Sequence, residues 1–180
     1  VKSALLGDVE LLSMLEEEPE RALRRDPHFL AELVRRCCVF KAGVVEADRR
    51  EAGWRKILNL GHSLGHAIEA VAGYGALLHG EAVAIGTIAA LELGVREGVT
   101  EPGLAARARC LFEQLGLPVS AHGLSTDSLM RAFEGDKKVA GTNLCWVLVQ
   151  QPGQPVLHEL PLSQAEAWLE FFQKHGILTS

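Results

Sequence analysis

The stretch GHSLGHAIEAVAGYGALLHGEAVAIGTIAALELGV, residues 61–95, decides the class of fold. Leu64, Ile68 and Val71 recur at helical spacing until Gly73-Tyr74-Gly75 breaks the period, and the Ala-rich apolar run from Glu81 to Val95 reads as a buried central helix. Towards the amino terminus, Asp26-Pro27 carries the signature of an N-cap with proline at the first helical position. Phe29, Leu30, Leu33, Val34, Cys37, Val44 and Val45 then form a largely continuous apolar stripe, predicting a long helix to about Ala47. Before it, Val9, Leu11, Leu12 and Leu15 predict a short helix from Asp8 that stops at Glu16-Glu17-Glu18-Pro19. Towards the carboxy terminus, Glu101-Pro102 opens a helix through Leu115, and Ser125 or Thr126 caps a short one through Phe133. The period then changes: Asn143 to Val149, a turn at 151–154 and Val156 to Leu160 predict a hairpin, and Ser163-Gln164-Ala165-Glu166 fits a capping box for a last helix through Phe172. The expectation is a mainly α, multi-helix bundle-like domain over residues 1–180 with a small late β-hairpin.

Length and composition bound the function. With 180 residues there is material for one core, and 48% hydrophobic residues against 23% charged excludes disorder and disulfide-dense scaffolds. A net charge of -5 excludes a whole-chain footprint for nucleic acid or an anionic membrane, and no apolar run reaches the roughly 20 residues that cross a bilayer. A small anionic substrate held by a few cations stays open. The chain starts at Val1 with no signal-peptide pattern, which reads as a cut in a longer protein. Cys37, Cys38, Cys110 and Cys145 show no Cys-x-x-Cys spacing and read as buried thiols of a reducing cytosol, while Trp54, Trp146 and Trp168 read as packing residues.

The chemistry concentrates between Arg55 and Glu81. His62 and His66 are four apart, so a helix puts them on one face, and His79 returns after the Gly-Tyr-Gly break at the start of the next helix. Three imidazoles that converge suit a zinc-type ion with an open position; a histidine pair at helical spacing by itself is more often a capping or core pair than a pair of ligands. Gly61 and Gly65 beside them each cost about 1 kcal/mol in a helix unless a backbone or a ligand approaches closely. Arg55 and Asn59 add a planar cation and an amide, Lys41 and Glu51 stand before them, and Asp136-Lys137-Lys138 places two cations just before the hairpin.

Taken together, Lys41 to Val45, Asp48 to Arg55, the block Leu58 to Glu69, His79 to Gly86 and Asp136 to Val139 resemble the carboxy-terminal domain of the 3-dehydroquinate synthases. The Gly-His-Ser-x-Gly-His-Ala-x-Glu block with a downstream His-Gly-Glu carries most of that likeness, and residues 140–180 match only loosely. The resemblance implies a divalent metal, zinc or cobalt, held by one glutamate and two histidines, here His62 and His79. The glutamate belongs to a Glu-Val-(Val/Ile)-Lys motif whose last two residues match Val1-Lys2, so it falls just before this chain. His66 becomes a substrate-contacting or proton-handling residue in place of a third ligand. Lys2, Lys41, Arg55, Asn59, His66 and one of Lys137 or Lys138 form the implied substrate-binding set, with His66, Lys41 and Glu51 as catalytic residues.

The implied reaction converts 3-deoxy-D-arabino-heptulosonate 7-phosphate to 3-dehydroquinate and phosphate in the shikimate pathway, with NAD bound mainly by an amino-terminal α/β domain. No Gly-x-Gly-x-x-Gly after a strand occurs here, so this chain is expected to be the helical half of a two-domain, cytoplasmic, homodimeric enzyme and inactive alone. Two rival readings are another sugar-phosphate cyclase or a metal-dependent alcohol or glycerol dehydrogenase, and, in a different class, a non-catalytic helical metal-binding module.

Overall fold

The computed structural model describes residues 1–50, 53–73, 76–140 and 142–179, of which 134–140 by backbone alone. It opens with α1 (Lys2–Leu6), α2 (Val9–Glu17), α3 (Pro19–Leu23) and α4 (Pro27–Ala47). The Asp8 carboxylate accepts the Leu11 amide and the Asp26 carboxylate accepts the Phe29 amide, each at 2.9 Å, so side chains satisfy orphan donors where α2 and α4 begin. A 3-10 helix (Trp54–Asn59) leads into α5 (His62–Ala72), and α6 (His79–Arg96) and α7 (Leu104–Gln114) follow. After them come β1 (Ala121–His122), α8 (Thr126–Ala140), β2 (Asn143–Val149), β3 (Pro155–Pro161), α9 (Ala165–Lys174) and β4 (Leu178–Thr179). β2 and β3 pair antiparallel, with Trp146 opposite His158, and β1 pairs in parallel with β4.

α6 is the axis of the core. It is buried along most of its length, from Ala82 through Gly94, because α5, α7 and β2 all pack against it. An aromatic cluster fills the far side: Trp146 and Trp168 stand edge to face with ring centres 5.5 Å apart, and Phe133 and Phe172 close around them. The hairpin is tied to the amino terminus by the Gly153 amide, which donates to the Leu5 carbonyl at 2.9 Å. Arg36 links α4 to α2 through Asp8 and Glu10 while also holding Glu32 of its own helix.

Several expectations change. α1 did not register in the sequence pattern, since five residues are too few to display a period, yet Ala4, Leu5 and Leu6 are buried. α4 has the predicted span, but only Phe29 and Val44 of its stripe are buried, and Val34 and Val39 are exposed. α8 continues beyond Phe133 to Ala140, so Lys137 and Lys138 fall within its last turn, just before the hairpin that begins at Asn143. Ser163 lies inside a 3-10 turn (Leu162–Gln164), which leaves Gln164 at the N-cap of α9 and no side-chain capping bond. All four thiols are free, but none is buried: Cys38 and Cys110 are exposed and the other two half-buried. Trp54 is 47% exposed, so only Trp146 and Trp168 are core residues. Among the described residues no helix is long and apolar enough to cross a membrane.

Candidate functional site

The glycines of the quoted stretch explain why the histidines meet. Gly61 opens α5 with φ +81°, a left-handed backbone that side chains disfavour, and a methyl there would lie 2.5 Å from the Val83 carbonyl and the Thr87 hydroxyl. On the facing helix, a methyl on Gly86 would overlap the Gly61 carbonyl oxygen. Close backbone approach therefore compensates the glycines, and α5 meets α6 backbone to backbone at Gly61, Gly65 and Gly86.

That crossing sets α5 against the first turn of α6. The His62 ring centre lies 5.1 Å from that of His66 and 5.3 Å from that of His79, and His66 and His79 are 6.1 Å apart. His62 faces the Leu60 carbonyl through Nδ1 at 3.1 Å, which assigns the hydrogen to Nδ1 and leaves the Nε2 lone pair for a ligand. Burial, and then the positive charge of Lys2, holds the His62 pKa below its ordinary value, so the ring stays neutral as a metal ligand must. His79 is the first residue of α6, where Glu81 reaches back to accept the Leu78 amide at 2.7 Å. His79 Nδ1 faces both carboxylate oxygens of Glu69, at 3.2 and 3.1 Å. Ligand atoms of His66, Glu69 and His79 all lie within 4.8 Å of one another. Two imidazoles and a carboxylate form a donor set that fits zinc or cobalt.

Cations border this cluster. Lys2 Nζ donates to the Leu58 carbonyl at 2.9 Å, and burial followed by the charge of Lys41 pushes its pKa down to about 8. Leu58 belongs to a cleft of about 400 Å³ whose described walls include Gly53, Arg55, Lys56 and Asn59. Lys2, Lys41, Arg55 and Asn59 thus come from α1, α4 and the 3-10 helix to one region, which Lys2 links to His62. Glu51 and the side chains of Lys137 and Lys138 lie outside the described residues.

Two contributors escaped the sequence reading. Asp48, only 5% exposed, accepts the Gly53 amide at 3.0 Å and the Arg55 amide at 2.9 Å through one oxygen, so it shapes the turn that presents Arg55. Glu69 belongs to the quoted motif without a role assigned from spacing. An Asp at the C-cap of α4 and a Glu at i+7 from the first histidine were the available signals.

Residues 1–139 match the family model described as "3-dehydroquinate synthase C-terminal". The chain belongs to that family. The 3-dehydroquinate synthase of Acinetobacter baylyi is 42% identical over 157 residues, covering 87% of this chain and 43% of the relative. That of Acidithiobacillus ferrooxidans is 38% identical over 177 residues, covering 98% of this chain and 49% of the relative. The chain thus spans about half the length of these curated family members. Among solved structures, 2-epi-5-epi-valiolone synthase from Streptomyces hygroscopicus subsp. jinggangensis, with NAD+ and Zn2+ bound, superposes with a TM-score of 0.81 at 25% identity, over 97% of this chain and 49% of that one. A 2-deoxy-scyllo-inosose synthase complexed with carbaglucose-6-phosphate, NAD+ and Co2+ shares the fold with a TM-score of 0.68 at 24% identity, over 83% of this chain and 43% of that one. Family membership sets aside the dehydrogenase reading.

Proposed function

We propose that this chain is the metal- and substrate-binding half of a 3-dehydroquinate synthase, which converts 3-deoxy-D-arabino-heptulosonate 7-phosphate to 3-dehydroquinate and phosphate. The observation that carries the reading is the meeting of His62, His66 and His79 at the α5–α6 crossing, beside the cleft that holds Arg55 and Asn59. His62 and His79 would hold Zn2+ or Co2+ with a glutamate preceding Val1, and the ion, when bound, supplies polarisation of the alcohol that NAD oxidises and later restores. No dinucleotide site fits the described residues, whose one parallel pairing is the two-residue β1–β4 contact, so NAD is assigned mainly to the amino-terminal domain.

This chain's own residues then bind and orient. Arg55 offers a planar fork to a carboxylate or phosphate, Lys2 and Lys41 add point charges, and Asn59 adds an amide to the same wall. His66, exposed beside the ligand pair, is placed to move a proton to or from the substrate. Glu51 and one of Lys137 or Lys138 remain part of this proposed set, as do a homodimeric state, a cytoplasmic location and inactivity of this half alone.

The test is phosphate release by the full-length protein with NAD and Zn2+ or Co2+. Turnover should vanish on chelation and return with metal, and Arg55→Ala should lower kcat/KM by about 10- to 100-fold, the worth of a charged hydrogen bond, with the fold unchanged. Wild-type kinetics in Arg55→Ala, or turnover by the 180-residue chain alone, would sink the reading.

A further inference from the structure

Resting on the metal centre proposed above, we propose that Glu69 is its positioning carboxylate: it accepts the Nδ1 hydrogen of His79 and so holds the His79 Nε2 lone pair ready for the ion. Glu69 follows His62 and His66 on the same face of α5, at i+7 and i+3, and so looks across the helix crossing at the start of α6. A carboxylate has no hydrogen to give when ionised, so the contacts of 3.2 and 3.1 Å are donated by His79 Nδ1. His79 needs such a partner more than His62 does. The His62 ring is half-buried and leans on a backbone carbonyl two residues away, whereas the His79 side chain is 57% exposed at a helix terminus. Glu81, the nearest acid on α6, is engaged with the Leu78 amide, which leaves the steering of His79 to Glu69 on the opposite helix. Both rings then present the same tautomer, one fixed by the main chain and one by a carboxylate that also raises ligand basicity.

The competing geometry makes Glu69 itself a ligand, with His66 and His79. The two are separated with the full-length protein, labelled with 15N-histidine. In the metal-free wild type at a pH where the rings are neutral, long-range 1H–15N spectra should show His79 as the single Nδ1–H tautomer. E69A should show a mixture, and E69Q, whose amide oxygen still accepts, should restore the single form. Titration against a chromophoric chelator should find Zn2+ and Co2+ bound about 10- to 100-fold more weakly by E69A, with E69Q intermediate and the Co2+ absorption bands of E69Q unchanged. An unchanged tautomer and affinity in E69A would overturn the inference, as would altered Co2+ bands in E69Q, which would make Glu69 a ligand. If the wild type binds neither ion, the metal centre fails and this inference falls with it; if the wild type binds and E69A matches it, this inference alone is lost.

Discussion

Gly86→Ala separates helix propensity from helix packing, because the two predict opposite signs. Gly86 lies inside α6, where alanine is worth about 1 kcal/mol of extra helical stability. The added methyl, however, would overlap the Gly61 carbonyl oxygen and lie 2.9 Å from the Gly61 carbonyl carbon and the Gly65 amide nitrogen. All three obstacles are backbone, so no rotamer relieves them and α5 must move off α6 by roughly 1 Å. Overpacking of that kind costs about 3 kcal/mol, leaving a net loss of about 2 kcal/mol, or about 4–8 °C in Tm for a chain of this size. Because the displaced helix carries His62 and His66 while His79 stays with α6, affinity for Co2+ should drop by about 10-fold or more. Thermal melts and urea titrations of the 180-residue chain measure the first effect, and chelator competition on the full-length protein measures the second. Gly80→Ala is the control, since a methyl there meets nothing within 4 Å. A Gly86→Ala protein as stable as wild type, or more stable, would refute the crossing as the reason for these glycines.

Two further outcomes follow from buried polar groups. Asp48→Ala removes the acceptor of two amides, and should cost about 1–3 kcal/mol in urea unfolding and accelerate hydrogen exchange selectively at Gly53 and Arg55; unchanged exchange there would show that Asp48 does not shape the turn. Lys2 releases its proton near pH 8 when folded but near its ordinary 10.5 when unfolded, so between those values the unfolded chain binds more protons and stability rises with pH. Below about pH 8 both states are protonated and the slope disappears. Urea midpoints of wild type minus those of Lys2→Met should climb across that window, and parallel profiles would disprove the shift.

The fold was legible wherever a local rule acted alone. Asp26-Pro27 marked the start of α4, the Ala-rich run marked the buried α6, and the change from a period of 3.6 to one of 2 marked the hairpin. What escaped was decided by tertiary context. The apolar stripe of α4 promised burial that the fold withholds from Val34 and Val39, because periodicity reports which side chains share a face and not what covers that face. Ser163 had the right neighbours for a capping box, but Pro161 turns the chain into a 3-10 turn first and moves the helix start past it. At the site, the histidines and Arg55 announced themselves as residue types, whereas Asp48 matters through a local turn and Glu69 through a contact with the facing helix, neither of which a residue type reveals.

The lowered pKa of Lys2 bears on the anionic substrate proposed above. A lysine partly buried beside a second cation destabilises the charged form, which folding by itself would avoid by an apolar or paired residue at that position. The arrangement becomes favourable only when an anion joins it. A carboxylate or phosphate near Lys2 and Lys41 would remove the repulsion between them, raise the Lys2 pKa again and take up a proton as it binds above pH 8. The net charge of -5 does not oppose this, because at physiological ionic strength exposed acids more than about 8 Å away are largely screened, while Lys2 and Lys41 would act on the anion at short range. A small anion held by oriented groups is therefore a better occupant of this surface than any polyanion steered by bulk charge.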